Sequence, residues 1–212
     1  MASVSVRTQR DYGKWTFFAL LAVCTLAVIY AHTRFLFVPN DPHWTHIRPF
    51  QWFLLPHSLI GAVALFSGPL QFSDRLRASQ PATHRMIGWF YVVAASITAV
   101  SGIYIGTHFG PPTIFVEEYF HGGLVLFTTG MALICIRNKN MAAHKLWMMR
   151  SYGVSLNFIF GRLPDIVNFK MSAQTLADVL WTGDILALIA PDLMLTAREL
   201  YRRSARRSGT LG

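Results

Sequence analysis

Eight histidines are spread along the 212-residue chain, and four of them recur with a spacing that suits metal chemistry. His57, His84, His121 and His144 each stand in, or at the opening of, one of four successive apolar runs. Imidazoles are costly inside a membrane and face the interior of a helical bundle when they occur there. If the runs cross a bilayer in alternating directions, His57 and His121 lie toward one face, and His84 and His144 toward the other. Two pairs at two depths result, which suits a metal macrocycle held between axial imidazoles. Haem fits this layout, since histidine is a common axial ligand and an apolar interior accepts a porphyrin. Zinc fits poorly, because its ligands must converge tetrahedrally on one point. The remaining histidines need no chemistry: His32, His43 and His46 fall in one link and His108 at a helix end, where interfacial imidazoles are ordinary.

Neighbouring residues bear on the same idea. Gly61 and Gly88 follow His57 and His84 by four residues, on the same helix face, where a missing side chain leaves room for a flat ring or for a close-packed helix. Arg85 and Lys145 directly follow the second pair and could neutralise haem propionates, although topology alone also demands cations there. Arg150 and Asp192 are expected to form an ion pair that locks the last two helices together. Asp184, deep in the last apolar run, has no evident partner except Arg162. Cys24 and Cys135 sit inside apolar runs and read as small apolar residues; their spacing fits neither a disulfide framework nor a metal motif.

The elements that must position these side chains follow from composition. Apolar residues make up 53% of the chain, charged residues 14%, and the mean hydropathy is +0.38, so the bilayer is the expected solvent. Apolar runs of membrane-spanning length extend over Trp15–Ala31, Phe50–Phe72, Met86–His108, Phe120–Ile136, Leu146–Leu163 and Leu176–Ala197. The expectation is an all-α bundle of six transmembrane helices, helices 2 to 5 forming a central four-helix core, in a single integral membrane domain over 1–212. In such a core the second and fourth helices are diagonal partners, as are the third and fifth, so each histidine pair can face across the centre. Trp15, Trp52, Trp147 and Trp181 lie near run ends and read as interface anchors.

Basic residues alternate between links. Arg7, Arg10 and Lys14 precede the first run; Arg75, Arg77 and Arg85 follow the second; Arg137, Lys139 and Lys145 follow the fourth; and five arginines follow the sixth. By the positive-inside rule both termini face the cytoplasm, and the net charge of +9 reflects topology, with no nucleic-acid partner implied. The first run is longer than a signal-peptide core and reads as a retained helix. Residues 199–212 read as a disordered basic cytoplasmic tail.

The stretches HSLIGAVALFSGPLQF, THRMIGWFY and HKLWMMRSYG resemble a bacterial family of predicted membrane proteins with no assigned function, over most of the chain from about Phe50 onward. That resemblance implies a bacterial inner-membrane location. The architecture is also similar to the transmembrane di-haem b-type cytochromes that pass electrons from ascorbate across a membrane. This second resemblance implies two b-type haems, one held by His57 with His121 and one by His84 with His144. It implies electron transfer from a cytoplasmic donor to an outer-face acceptor, the redox partner being a small molecule or a protein; a homodimer is compatible with it. The competing readings are a small transporter or channel lined by Asp184, Asp192, Arg150 and the histidines, and an accessory membrane subunit without haem.

Overall fold

The computed structural model describes residues 12–33, 38, 47–167, 169 and 171–209, so His43, His46, Arg7 and Arg10 lie outside the described residues. Seven α-helices and no strand occur among the described residues: α1 (Tyr12–Thr33), α2 (Gln51–Gln71), α3 (Asp74–Ser79), α4 (Pro81–Phe109), α5 (Phe115–Arg137), α6 (Met141–Ile166) and α7 (Ala173–Gly209). Local chemistry sets the boundaries. Ser73 caps α3 by accepting from Leu76 N at 3.2 Å, and Pro81 opens α4 where a missing N–H costs nothing. Glu117 and Glu118 occupy the first turn of α5, next to its positive dipole end. The turn into α6 is tight: Lys139 adopts φ 59°, and Asn140 Oδ1 accepts from Ala143 N at 3.1 Å.

Sequential helices fold back on one another. The start of α2 stacks on the end of α4 through Phe50 and Phe109, at 5.0 Å between ring centres. One end of the bundle therefore gathers Arg75, Arg77, Arg85, Arg137, Lys139 and Lys145, and the other holds Glu117 and Glu118. They are the basic end and the acidic end below.

α2 packs on α4, α4 on α5 and α5 on α6, while α6 also meets α1, α2 and α7. The buried core draws on α1 as well as on α2, α4, α5 and α6. Among the described residues, α2, α4, α5 with the 3-10 turn Pro112–Ile114 before it, and α7 are long and apolar enough to cross a membrane. In α1 the apolar stretch is the shorter Thr16–Ala31. α6 falls short because it carries Lys145, Arg150, Asn157 and Arg162, yet Ser151, Val154, Asn157 and Ile159 on it are buried. Hydropathy reports what faces lipid, and α6 is enclosed by protein. Large apolar side chains instead point outward elsewhere, among them Phe17, Leu20, Trp89, Phe90 and Val93.

Small residues allow the close approaches. A Cβ on Gly68 would overlap the Tyr152 ring, whose hydroxyl donates to Leu65 O at 3.1 Å, so α2 and α6 touch only because that side chain is absent. The basic tail departs from expectation. Helix α7 runs unbroken through Gly209, its solvent part rich in helix formers and carrying an i,i+4 pair, Glu199 with Arg203, at 2.9 Å. At 37 residues α7 is about 55 Å long, well beyond the roughly 30 Å of a hydrocarbon core.

The expected pair between Arg150 and Asp192 is present: Nη2 donates to Oδ2 at 2.5 Å, and Arg150 Nε donates to Leu188 O at 3.2 Å. Asp192 is 50% exposed against 17% for Arg150, because α7 lies at the edge of the bundle. Arg150→Met leaves Asp192 without its partner in the apolar part of α7 and should cost about 2 kcal/mol, a fall of several degrees in a melting curve in detergent. A larger fall, not relieved in Arg150→Met/Asp192→Ala, would assign Arg150 a role other than ion pairing.

Candidate functional site

The helix register gives the four histidines matched depths. His57 and His121 are each the seventh residue of their helices, α2 and α5, about 10 Å from the acidic-end starts. His84 and His144 are each the fourth residue of α4 and α6, and their backbone N–H groups donate to Gln80 O and Asn140 O at 3.0 and 2.9 Å.

At the basic end, His84 and His144 stand at the same position of their helices, one turn from the helix starts. His144 Nδ1 is 2.9 Å from the backbone oxygen of Ala132. A carbonyl only accepts, so Nδ1 carries the hydrogen and Nε2 keeps a lone pair. His84 Nδ1 is buried and has no hydrogen-bond partner. The space beside Gly88 is taken by Gln71, whose Oε1 would sit 3.0 Å from an added Cβ and whose Nε2 donates to His84 O at 3.2 Å. At Gly61 an added Cβ would meet Thr98 at 3.4 Å, an ordinary contact, so the tight approach is at Gly88. Arg85 and Lys145 are exposed, as befits cations at a membrane surface.

At the acidic end the two histidines face different helices. His57 Nδ1 lies 2.9 Å from Ser101 Oγ on α4. That hydroxyl gives its hydrogen to Ile97 O at 2.8 Å, so His57 is the donor. The His57 ring lies against Gly102, its Cε1 3.2 Å from where a Cβ would stand. His121 instead turns to α7, its Nδ1 3.0 and 3.2 Å from the two oxygens of Asp184.

Asp184 is fully buried, at 0% exposure, and also accepts from Asn157 Nδ2 at 2.8 Å; the same amide group donates to Leu180 O at 2.7 Å. Glu117, 2% exposed, completes the group one turn before His121 on the same face of α5. One ligand-capable atom from each of Glu117, His121 and Asp184 falls within 4.8 Å of the others. Glu117 Oε1 and Asn157 Oδ1 are buried without hydrogen-bond partners.

Asp184 thus has His121 and Asn157 as bonded partners, where the sequence suggested only Arg162. Glu117 and Asn157 escaped the sequence reading. The i,i+4 spacing of Glu117 to His121 is the sequence signal that points to it. Asn157 is an amide in an otherwise apolar stretch of α6, a weaker one. A hydroxyl network fills the bundle centre: Tyr91 Oη and Thr129 Oγ1 lie 2.8 and 2.7 Å from Ser151 Oγ, all three residues buried.

The chain belongs to the family described as Predicted membrane protein (DUF2306), whose model matches residues 54–195. No curated protein and no solved structure matches it. Membership and the four long apolar helices identify a membrane protein embedded in a lipid bilayer. The family description names no activity, so function rests on the site.

Proposed function

We propose that this family member is a six-span membrane protein of the bacterial inner membrane that carries electrons through b-type haem, with His84 and His144 as axial ligands. The observation that carries this reading is the basic-end couple. His144 is oriented by Ala132 O with Nε2 left free, at the same helical position as a His84 whose Nδ1 is buried without a partner. Second-shell donation from the far ring nitrogen is how ligating histidines are held in position. Haem would supply a reversible one-electron couple there. The chain places the imidazoles at equivalent positions of α4 and α6, with exposed cations directly after them in Arg85 and Lys145. In this reading α1 and α6 also span the bilayer, both termini and the basic end face the cytoplasm, and a cytoplasmic donor delivers the electron. Arg85 and Lys145 would attract an anionic donor or balance propionates.

The second haem, between His57 and His121, lacks comparable support. The depths match, but the bonded partners lie on α4 and α7, and the proposal stops at one haem. The test is an absorption spectrum of full-length protein purified from haem-supplied cells. A Soret band and a reducible α-band corresponding to about one haem per chain are expected. Colourless, folded protein would overturn the reading.

A further inference from the structure

We propose that the acidic end of the bundle binds a first-row divalent cation through Glu117, His121 and Asp184. The site is separate from the haem reading and does not rest on it, and it assigns His121 to the cation in place of a second haem iron.

Three observations converge. Coordination geometry comes first. Bonds of roughly 2.1 Å place neighbouring ligand atoms about 3.0 Å apart in an octahedral shell and about 3.4 Å apart in a tetrahedral one. His121 Nδ1 stands 3.0 and 3.2 Å from the Asp184 oxygens, and Glu117 falls within the same 4.8 Å. A turn of the Glu117 side chain that closes up to about 1–2 Å makes three ligands of them. Burial comes second. Two carboxylates are withdrawn from water here, and Glu117 Oε1 has no hydrogen-bond partner. Buried charge persists in proteins when it is paired or coordinates a metal, and a dication balances two carboxylates. The supporting shell comes third. Asn157 fixes Asp184 by donating to Oδ1, while its own buried Oδ1 is free to accept from a cation-bound water.

The ligand set chooses the metal class. Two carboxylates with one imidazole suit Mn²⁺, Fe²⁺ or Zn²⁺, and lack the thiolates that select Cu⁺. Three protein ligands leave positions open for water or a small ligand. On binding, Nδ1 must surrender the hydrogen that it shares with Asp184, leaving the ring protonated at Nε2.

The test uses the full-length protein in detergent, stripped with a chelator and then offered Mn²⁺ or Zn²⁺ alone. About one equivalent per chain should remain after desalting. The melting temperature should rise with added cation and fall back with chelator, because a ligand that binds only the folded state stabilises it. Glu117→Gln and Asp184→Asn should each lower retained metal at least tenfold and abolish the thermal shift, whereas His57→Ala should keep both. No retained metal and no shift in the unmodified protein overturns the site, whatever the variants do. Equal retention in Glu117→Gln and Asp184→Asn overturns it too. The haem spectrum of the same samples is read separately, so either proposal can fail alone.

Discussion

Alanine at position 144 is expected to yield a folded protein without the reducible α-band. The imidazole of His144 is held by a single bond to the Ala132 carbonyl, an oxygen already inside α5, so its removal leaves the helix intact and takes away the oriented lone pair. His84→Ala should have the same outcome, since neither ring can hold an iron axially from both sides alone. His57→Ala and His121→Ala should retain the band, and so should Arg85→Ala and Lys145→Ala, whose side chains are exposed. Difference spectra per mole of chain, with size-exclusion profiles as the folding control, decide the matter. A band that survives in both His84→Ala and His144→Ala, or one lost equally in His57→Ala, would remove the basic-end couple from the mechanism.

Gly183→Ala is the substitution expected to cost most stability. A Cβ there would overlap the carboxamide of Asn157, which is fully buried and donates to both Leu180 O and Asp184. Asn157 can move only by giving up those bonds or by forcing α6 and α7 apart. Overpacking costs about 1–3 kcal/mol, and each membrane hydrogen bond about 0.6–2 kcal/mol. A loss of about 3 kcal/mol corresponds to a fall of roughly 10 °C in melting temperature for a chain of this size. In Gly183→Ala/Asn157→Ala the overlap is relieved, and the double variant should melt above the sum of the two single losses. An unchanged melting temperature in Gly183→Ala would contradict the close approach of α6 and α7. Because Asn157 supports Asp184, the same variant should also weaken cation retention at the acidic end.

The two ends of the bundle were unequally legible. The spacing placed His84 and His144 at the openings of two helices, and each stands at the fourth position of its helix. The Arg150 and Asp192 pair was equally readable, because two lone charges at equal depth in neighbouring apolar helices have few other partners. Gly61 and Gly88 were ambiguous in sequence; Gln71 fills the space beside Gly88, while Gly61 has Thr98 at ordinary contact distance. The Glu117, His121, Asp184 and Asn157 group was not foreseen, because its members come from three helices and meet only when α5, α6 and α7 pack.

Periodicity, composition and charge alternation determined by themselves that this is a helical membrane protein and where along its helix each polar side chain stands. These quantities run along a helix axis, where a fixed rise per residue converts sequence position into height. Which way a residue points around that axis was decided only by tertiary structure. Close approaches at Gly68 and Gly183 set the rotation of α6 against α2 and α7, while packing turns His121 toward Asp184 and His57 toward Ser101 and encloses the polar residues of α6 within the other helices. Rotation depends on which neighbour fills which gap, a property of pairs of helices that no single segment encodes.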